Sequence, residues 1–296
     1  MTIVCGIDTT DSGRQAVHLA IAVAKQQKAR LHLVHAVEAH DVDESLIEPS
    51  MRPAMEALRA RVETQRAAEQ AKLDALALEA ATSVQTKVTA HVGRAWEVLL
   101  AIANDDDATH IVVGPHASTG GTLSKIGERL LGSTARRVVR HAGRNVWVAC
   151  GDVDAATNAM NAGELRAVVG VDFAPGGRAA VNEASRANAK VVAVHALRDP
   201  FTAGDAPIDW SELRAEWRQR LDADLKRSVP SAVATRVEMG DPVRALIDAA
   251  EAEKAHAILV GAHAGGTWTR LLLGDTAERA LRMSPVPVLV VQPHTS

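Results

Sequence analysis

Large aromatic residues are scarce in this 296-residue sequence, which has no tyrosine, five tryptophans and two phenylalanines. The core must therefore be built mainly from Val, Leu, Ile and Ala. Single-stranded nucleic acids bind by stacking their bases on aromatic side chains, and few are available here. Basic residues are not in surplus either, because 33 Lys and Arg stand against 36 Asp and Glu. We therefore expect no general nucleic-acid binding.

Cysteines and long apolar runs are also lacking. Cys5 and Cys150 are the only cysteines, too few for a disulfide scaffold or a cysteine zinc site. No apolar run approaches the roughly 20 residues of a membrane helix, and no basic-then-apolar leader precedes the first strand-like segment. These features predict a cytoplasmic protein with no membrane association.

The sequence is duplicated. Four segments recur in the same order, which chance does not produce. GIDTTDSGRQAV (6–17) returns as GVDFAPGGRAAV (170–181), and LVHAV (33–37) as AVHAL (193–197). HIVVGPHA (110–117) returns as AILVGAHA (257–264), and LLGSTARRVVR (130–140) as LLGDTAERALR (272–282). We predict one domain at 1–150 (copy one), a second at 164–296 (copy two), and an aperiodic linker at 151–163.

Short, nearly continuous apolar runs alternate with amphipathic segments inside each copy. Such runs are typical of parallel strands that are covered on both faces. The alternation predicts right-handed crossovers and a flavodoxin-like fold, a doubly wound five-stranded parallel sheet in each copy. A sheet of this type binds its ligand at the carboxyl ends of the strands. The strands predicted in copy one are 2–7, 30–37, 84–92, 109–114 and 145–149.

Two polar features fall at these strand ends. Asp8 follows the first strand and Asp172 its counterpart, where a carboxylate can accept a hydrogen bond from a ribose hydroxyl or can cap the next helix. Gly114 ends the fourth strand, and the segment Gly132–Thr134 opens the last helix. Glycine and helix N-terminal N–H groups suit a phosphate. A turn glycine followed by a serine N-cap is the alternative, and both interpretations stay open.

These repeated segments resemble the universal stress proteins in their tandem two-domain form, over nearly the whole chain. Nucleotide-binding members of that family carry an Asp after the first strand and a G-x-x-G loop, then nine residues and G-S/T. The resemblance implies that ATP or AMP binds in copy one. Asp8 would then face the ribose and the backbone at Ala36 the adenine, with the phosphates at Gly114, Gly132, Ser133 and Thr134. It also implies that the fifth strands of the two copies meet across a pseudo-twofold axis.

Both copies depart from the family pattern. In copy one the second loop glycine is replaced by Ala117, and fourteen residues (118–131) precede Gly132. We predict that this loop orders over a phosphate with Lys125 as a contact; an insertion without a ligand role is the alternative. In copy two the spacing is kept, but Asp275 replaces the Ser or Thr. Like charges ~4 Å apart repel by about 1 kcal/mol in water and about 4 kcal/mol near a protein surface. Copy two is therefore predicted to be degenerate.

No catalytic or metal site can be assigned. None of the twelve histidines has the spacing of a zinc pair, and we expect His35 to end the second strand and to form a local hydrogen bond. Without a nucleophile–base or carboxylate pair, at most weak ATP hydrolysis is expected. Two function classes remain, a nucleotide-binding stress-response module and a stress-induced interaction protein that binds no nucleotide. The sequence does not identify protein partners, and a homodimer is compatible with either class.

Overall fold

The computed structural model describes residues 1–8, 11–37, 48–115, 131–198, 211–262 and 274–293. Two predicted ligand residues, Ala117 and Lys125, lie outside these ranges. Copy one alternates strands and helices as predicted, and a short 3-10 turn at Pro49–Met51 leads into its second helix. Its elements are β1 (Thr2–Ile7), α1 (Asp11–Gln27), β2 (Arg30–Val37), α2 (Arg52–Ala81), β3 (Thr86–Val92), α3 (Ala95–Asp105), β4 (Ala108–Val113), α4 (Ser133–His141) and β5 (Asn145–Val148).

Copy two repeats this order after a connecting helix, α5 (Val153–Ala162). The last strand of copy two, predicted from the sequence at 286–291, begins at Val288 instead, because Pro287 has no N–H to donate to a strand ladder. The elements are β6 (Arg166–Gly170), α6 (Pro175–Arg186), β7 (Lys190–Leu197), α7 (Ser211–Ser228), β8 (Ala234–Met239), α8 (Pro242–Ala252), β9 (Ala257–Gly261), α9 (Asp275–Met283) and β10 (Val288–Val291).

All ten strands form one continuous sheet, in the order β3-β2-β1-β4-β5-β10-β9-β6-β7-β8. Pairing is parallel within each copy, and the two copies join through antiparallel pairing of β5 with β10, where Val148 lies opposite Val288. The flavodoxin-like fold is thus confirmed, and so is the expected meeting of the fifth strands. Because β5 and β10 are antiparallel, the strands of the two copies point in opposite directions. The carboxyl ends of the strands of copy one and copy two therefore lie at opposite edges of the sheet.

Helices cover both faces of the sheet and enclose an aliphatic core. One face carries buried residues of α1, α2, α5, α6 and α7, among them Leu19 and Leu225. The other carries those of α3, α4, α8 and α9, among them Leu99 and Leu281. Among the described residues, no helix combines the length and apolar character that crossing a membrane requires.

The predicted aperiodic linker is wrong in one respect, because most of it forms α5. The Asp152 side chain accepts a hydrogen bond from the Ala155 N–H at 2.9 Å, and Gly163 ends the helix with a φ of 72°. Val153, Ala156 and Met160 are buried, and the helix packs against α1. The apolar periodicity of α5 is not evident in the sequence, because alanine, the strongest helix former, supplies much of its buried face. The connection is therefore part of the core.

Candidate functional site

A cavity of about 340 Å³ opens in copy two at the carboxyl ends of β6, β7 and β9. Strand β6 lies between β7 and β9, so this is the topological switch point at which such sheets bind ligands. Its walls include apolar side chains of β7, α8 and β9. Among the described residues, its polar ones are Asp172, His195, Asp275 and Thr276. The predicted crevice is therefore formed in the copy that was expected to be degenerate.

Asp172 makes the local turn that was one of its two interpretations. Its Oδ1 accepts a hydrogen bond from the Ala174 N–H at 3.0 Å. Between them, Phe173 has a φ of 61°, a left-handed conformation that few non-glycine residues adopt. The Phe173 ring lies 4.7 Å from the His195 ring, centroid to centroid. The turn therefore fixes both the carboxylate and an aromatic pair beside the cavity.

Both copies hold a histidine next to this aspartate. His35 Nδ1 donates to the Ile7 carbonyl over 2.9 Å, and His195 Nδ1 donates to the Val171 carbonyl over 2.7 Å. His35 thus forms a hydrogen bond to the neighbouring strand β1 rather than to residues near it in the sequence, and it does not end its own strand as predicted, since β2 continues to Val37. Ala36, the predicted adenine contact, also lies within β2 and is half-buried. The repeated bond ties the second strand of each copy to the residue before the aspartate.

Glycines at the site are required by backbone packing. A Cβ on Gly261 would overlap the backbone of Gly176, at the start of α6, and a Cβ on Gly176 would come within 2.5 Å of the Ala262 carbonyl oxygen. In copy one, a Cβ on Gly13 would overlap the Asp8 carbonyl oxygen. These contacts bring the first helix of each copy against the strand ends. Sequence reasoning missed Gly13 and Gly176, although both lie in the quoted repeat, and a glycine in the first turn of a helix is the available signal.

Asp275 stands at the mouth of the copy-two cavity, as the first residue of α9. Its side chain is 71% exposed, and its Oδ2 lies 4.0 Å from Arg198 and 3.9 Å from Arg279. Arg279 bonds more closely to Asp241, at 2.6 and 3.1 Å, and this hydrogen-bonded guanidinium lowers the pKa of the Asp241 carboxyl. Arg279 is thus mainly engaged with Asp241, and the Asp275 carboxylate faces solvent at the cavity mouth.

In copy one, the structure brings the start of α4 to the end of β4. The Gly132 N–H donates to the Pro115 carbonyl over 2.7 Å, so Gly132 lies beside Gly114. Gly114 follows the strand and does not end it as predicted, because β4 ends at Val113. Gly132 itself is the N-cap residue, and Ser133 is the first residue of the helix, which corrects the interpretation of Ser133 as the N-cap. Ser133 and Thr134 therefore form the first turn of α4, close to Gly114.

Asp8 follows β1, the strand that lies next to β4. β1 pairs with β4, and Cys5 lies opposite Val112, so the chain leaves both strands at one edge of the sheet near Asp8 and Gly114.

Burial, with a smaller contribution from the Asp8 carboxylate, raises the pKa of the Cys5 thiol far above its usual range. A buried thiol of that kind is not a nucleophile. Within the described ranges, no group of three His, Cys, Asp or Glu side chains is arranged to hold a metal ion.

The duplicated fold agrees with the comparisons. A profile of the universal stress protein family matches residues 1–149 and again 165–292. The chain belongs to the universal stress protein family. It is 29% identical to a universal stress protein of Mycolicibacterium smegmatis over 306 aligned positions, covering 99% of this chain and 97% of the relative. It is 27% identical to a universal stress protein of Mycobacterium tuberculosis, covering 98% and 96%.

A solved structure shows the same fold over the full length. A universal stress protein from Archaeoglobus fulgidus aligns with a TM-score of 0.66 at 16% identity, covering 99% of this chain and 98% of its own. The fold of this chain therefore has a counterpart in a solved structure over nearly its full length.

Proposed function

We propose that this universal stress protein is a stress-response module that binds ATP or AMP in copy one and changes its conformation or partners on binding. The observation that supports the proposal is the Gly132–Pro115 hydrogen bond, which joins the N-cap residue of α4 to the segment that follows β4, next to Gly114. Helix N-terminal N–H groups attract phosphate, and Asp8 leaves the neighbouring strand at the same edge. The cytoplasm is the proposed setting.

The charges at the two helix starts support the choice of copy one. The first turn of α4 contains no acidic residue, whereas the first turn of α9 contains Asp275 and Glu278. An acidic side chain at a helix N-terminus interacts favourably with the helix dipole but repels a phosphate. The start of α4 in copy one is therefore better suited to bind an anion than the start of α9 in copy two.

Ser133→Asp tests the proposal, because it gives copy one the residue that copy two has at this position. We expect the affinity of the full chain for ATP to fall at least tenfold, measured by titration calorimetry. Ser133→Ala is the matched control, because it keeps the backbone N–H and adds no charge. Equal affinity of wild type and Ser133→Asp for ATP would contradict phosphate binding at α4.

Lys125 and Ala117 enter the proposal as predictions from the sequence. If the loop at 117–131 orders over a phosphate, ATP slows its hydrogen exchange, and Lys125→Ala weakens ATP binding. Unchanged exchange at saturating ATP, with unchanged affinity of Lys125→Ala, would mark the loop as an insertion without a ligand role.

A stress-induced interaction protein without nucleotide is the second candidate, and the glycine packing favours it. The contact between Gly176 and Gly261, together with the turn at Asp172, accounts for these motif residues without any ligand. Denaturing the purified protein and analysing the released small molecules separates the two candidates. Released adenine nucleotide supports the first. No released nucleotide, together with no calorimetric binding of ATP or AMP, supports the second. We assign no general base in either candidate, and the proposal includes at most weak ATP hydrolysis.

A further inference from the structure

We propose that a polar cavity at the junction of the two copies binds a free α-amino acid in its zwitterionic form. This junction cavity has a volume of about 690 Å³, within the range of roughly 300–1,000 Å³ that ligand pockets span. The end of α1, the starts of β4 and β5, the last turn of α6 and the segment after β10 form its walls. Both copies therefore contribute to it, and no described residue on its walls is one assigned to the nucleotide.

Gln292, on the wall of the junction cavity, points to a ligand. The residue is 4% exposed, and neither its Oε1 nor its Nε2 has a hydrogen-bond partner among the described residues. Gln27 lines the same cavity, and its buried Oε1 likewise has no partner in the described part of the chain. Buried polar atoms in folded proteins nearly always have partners. A ligand with both donors and acceptors would pair all three atoms.

The neighbouring polar groups crowd around one ring nitrogen, His110 Nε2. The Gln292 N–H donates to Asn145 Oδ1 over 3.0 Å, and this bond turns Asn145 Nδ2 toward His110 Nε2, 3.2 Å away. Gln27 Nε2 lies 3.4 Å from the same nitrogen, and Glu183 Oε1 lies 3.1 Å from it. One ring nitrogen cannot donate to a carboxylate and also accept from two amides. The cluster therefore holds more polar groups than it can pair internally.

Two opposite charges lie side by side on the wall. Glu183 Oε2 is 3.6 Å from Arg186 Nη1, which is too long for a hydrogen bond. The Glu183 side chain is 9% exposed and that of Arg186 is 67% exposed, so a buried carboxylate faces a guanidinium with room to move. An α-amino acid carries its ammonium and carboxylate groups on one carbon atom. Its ammonium would bond to Glu183 and its carboxylate to Arg186, and both bonds are charge-assisted.

The other charges on the wall do not favour a ligand of one sign. Asp107 and Arg144 also line the cavity, so its described acidic and basic side chains balance. The Arg144 guanidinium already donates to the carbonyl oxygens of Ala103, Ala108 and Ala142. A simple anion would be repelled by the buried carboxylate and a simple amine by the arginines, whereas a zwitterion is attracted by both.

Thermal unfolding of the full chain with each standard L-amino acid in turn tests the inference first. We expect at least one of them to raise the Tm, because a molecule that binds only the folded state stabilises it. Titration calorimetry then compares that amino acid with its amide, which lacks the carboxylate, and with its N-acetyl derivative, which lacks the ammonium group. Each derivative should bind at least tenfold more weakly than the amino acid.

Two variants locate the binding. Gln292→Leu should lower the affinity for the amino acid at least tenfold without lowering stability, because it removes two unpaired buried polar atoms. Gln65→Leu, at an exposed position of α2, is its matched control. Arg186→Gln should also lower the affinity at least tenfold, and Arg178→Gln, at an exposed position of the same helix, is the control for losing an arginine.

Three results would overturn the inference. No standard amino acid binds the wild-type chain, or the amide or N-acetyl derivative binds as tightly as the amino acid, or the affinity is unchanged in Gln292→Leu or Arg186→Gln. The affinity for ATP, measured on the same proteins, should be equal in wild type and Gln292→Leu. The two sites are separate, so each of these results leaves nucleotide binding in copy one standing, and failure of ATP to bind leaves the junction cavity standing.

Discussion

His110 of β4 and Glu183 of α6 form a buried polar contact between the two copies, with 3.1 Å between Nε2 and Oε1. Both side chains are less than one-tenth exposed. At the equivalent positions of the opposite copy, the repeat places Ala257 and Leu19, both fully buried. The polar pair is thus present on one side of the junction only, and the repeat has buried apolar residues at the equivalent positions of the other copy.

Breaking this contact on one side should destabilise the chain. His110→Ala leaves the buried Glu183 carboxylate without its imidazole partner, and removing one partner of a buried pair costs about 3 kcal/mol. His110→Ala combined with Glu183→Leu restores the apolar residues of the opposite side and should cost less than His110→Ala alone. Urea unfolding measures both free energies. A double variant less stable than His110→Ala would show that the contact does not act as a pair.

Acid should weaken the fold through His32. Burial lowers the pKa of His32 and outweighs the opposing effect of Asp106, whose carboxylate is 2.5 Å from Nδ1 but 25% exposed. The folded-state pKa therefore lies below the unfolded value of about 6.5. The folded state then favours the neutral imidazole, so this stability is complete above that pH and is lost as the pH falls below it.

The pH dependence can be measured by urea unfolding between pH 7 and pH 5. The free energy of unfolding should fall toward pH 5, and part of that fall should disappear in His32→Gln. Burial lowers the pKa of His91 and His256 in the same direction, so some of the fall remains. His18→Gln, at an exposed position, is the control for losing a histidine. A free energy that rises toward pH 5 would contradict the assignment.

Gly261→Ala should be strongly destabilising, because the new methyl group would overlap the Gly176 backbone. Overpacking of this kind typically costs about 1–3 kcal/mol, and the upper end is expected since backbone atoms cannot rotate away. Gly170→Ala is the matched control: its Cβ would lie 3.4 Å from Leu246, and we expect a loss below about 1 kcal/mol. Thermal and urea unfolding compare the two. Equal losses would mean that the start of α6 shifts easily.

Helix α5 should contribute to stability as a capped helix does. Asp152→Ala removes the side-chain bond to the Ala155 N–H, and losing such an N-cap costs about 1 kcal/mol. Asp154→Ala, two residues on and exposed, should change the free energy of unfolding by no more than about 0.5 kcal/mol. Identical effects of the two variants would argue against a cap at Asp152.

The duplication, the alternation of strands and helices within each copy and the placement of a crevice at the carboxyl ends of the strands were predictable from the sequence, because repeats, apolar periodicity and turn residues are local patterns. The contact between His110 and Glu183 was not, since it joins a strand of one copy to a helix of the other. Its only trace in the sequence is an acidic residue in the apolar stripe of α6, where α1 has Leu19. The cavity in copy two was not expected either. The prediction for copy two considered only the repulsion between Asp275 and a phosphate. The cavity is lined by side chains such as Leu246 that are far from Asp275 in the sequence.

The affinity of the full chain for ATP, compared among wild type, Ser133→Asp and Asp275→Ser, tests the central claim most directly. Calorimetry should show ATP binding by wild type, at least tenfold weaker binding by Ser133→Asp, and undiminished binding by Asp275→Ser. ATP binding that Ser133→Asp leaves unchanged, or no ATP binding by wild type, would contradict nucleotide binding in copy one.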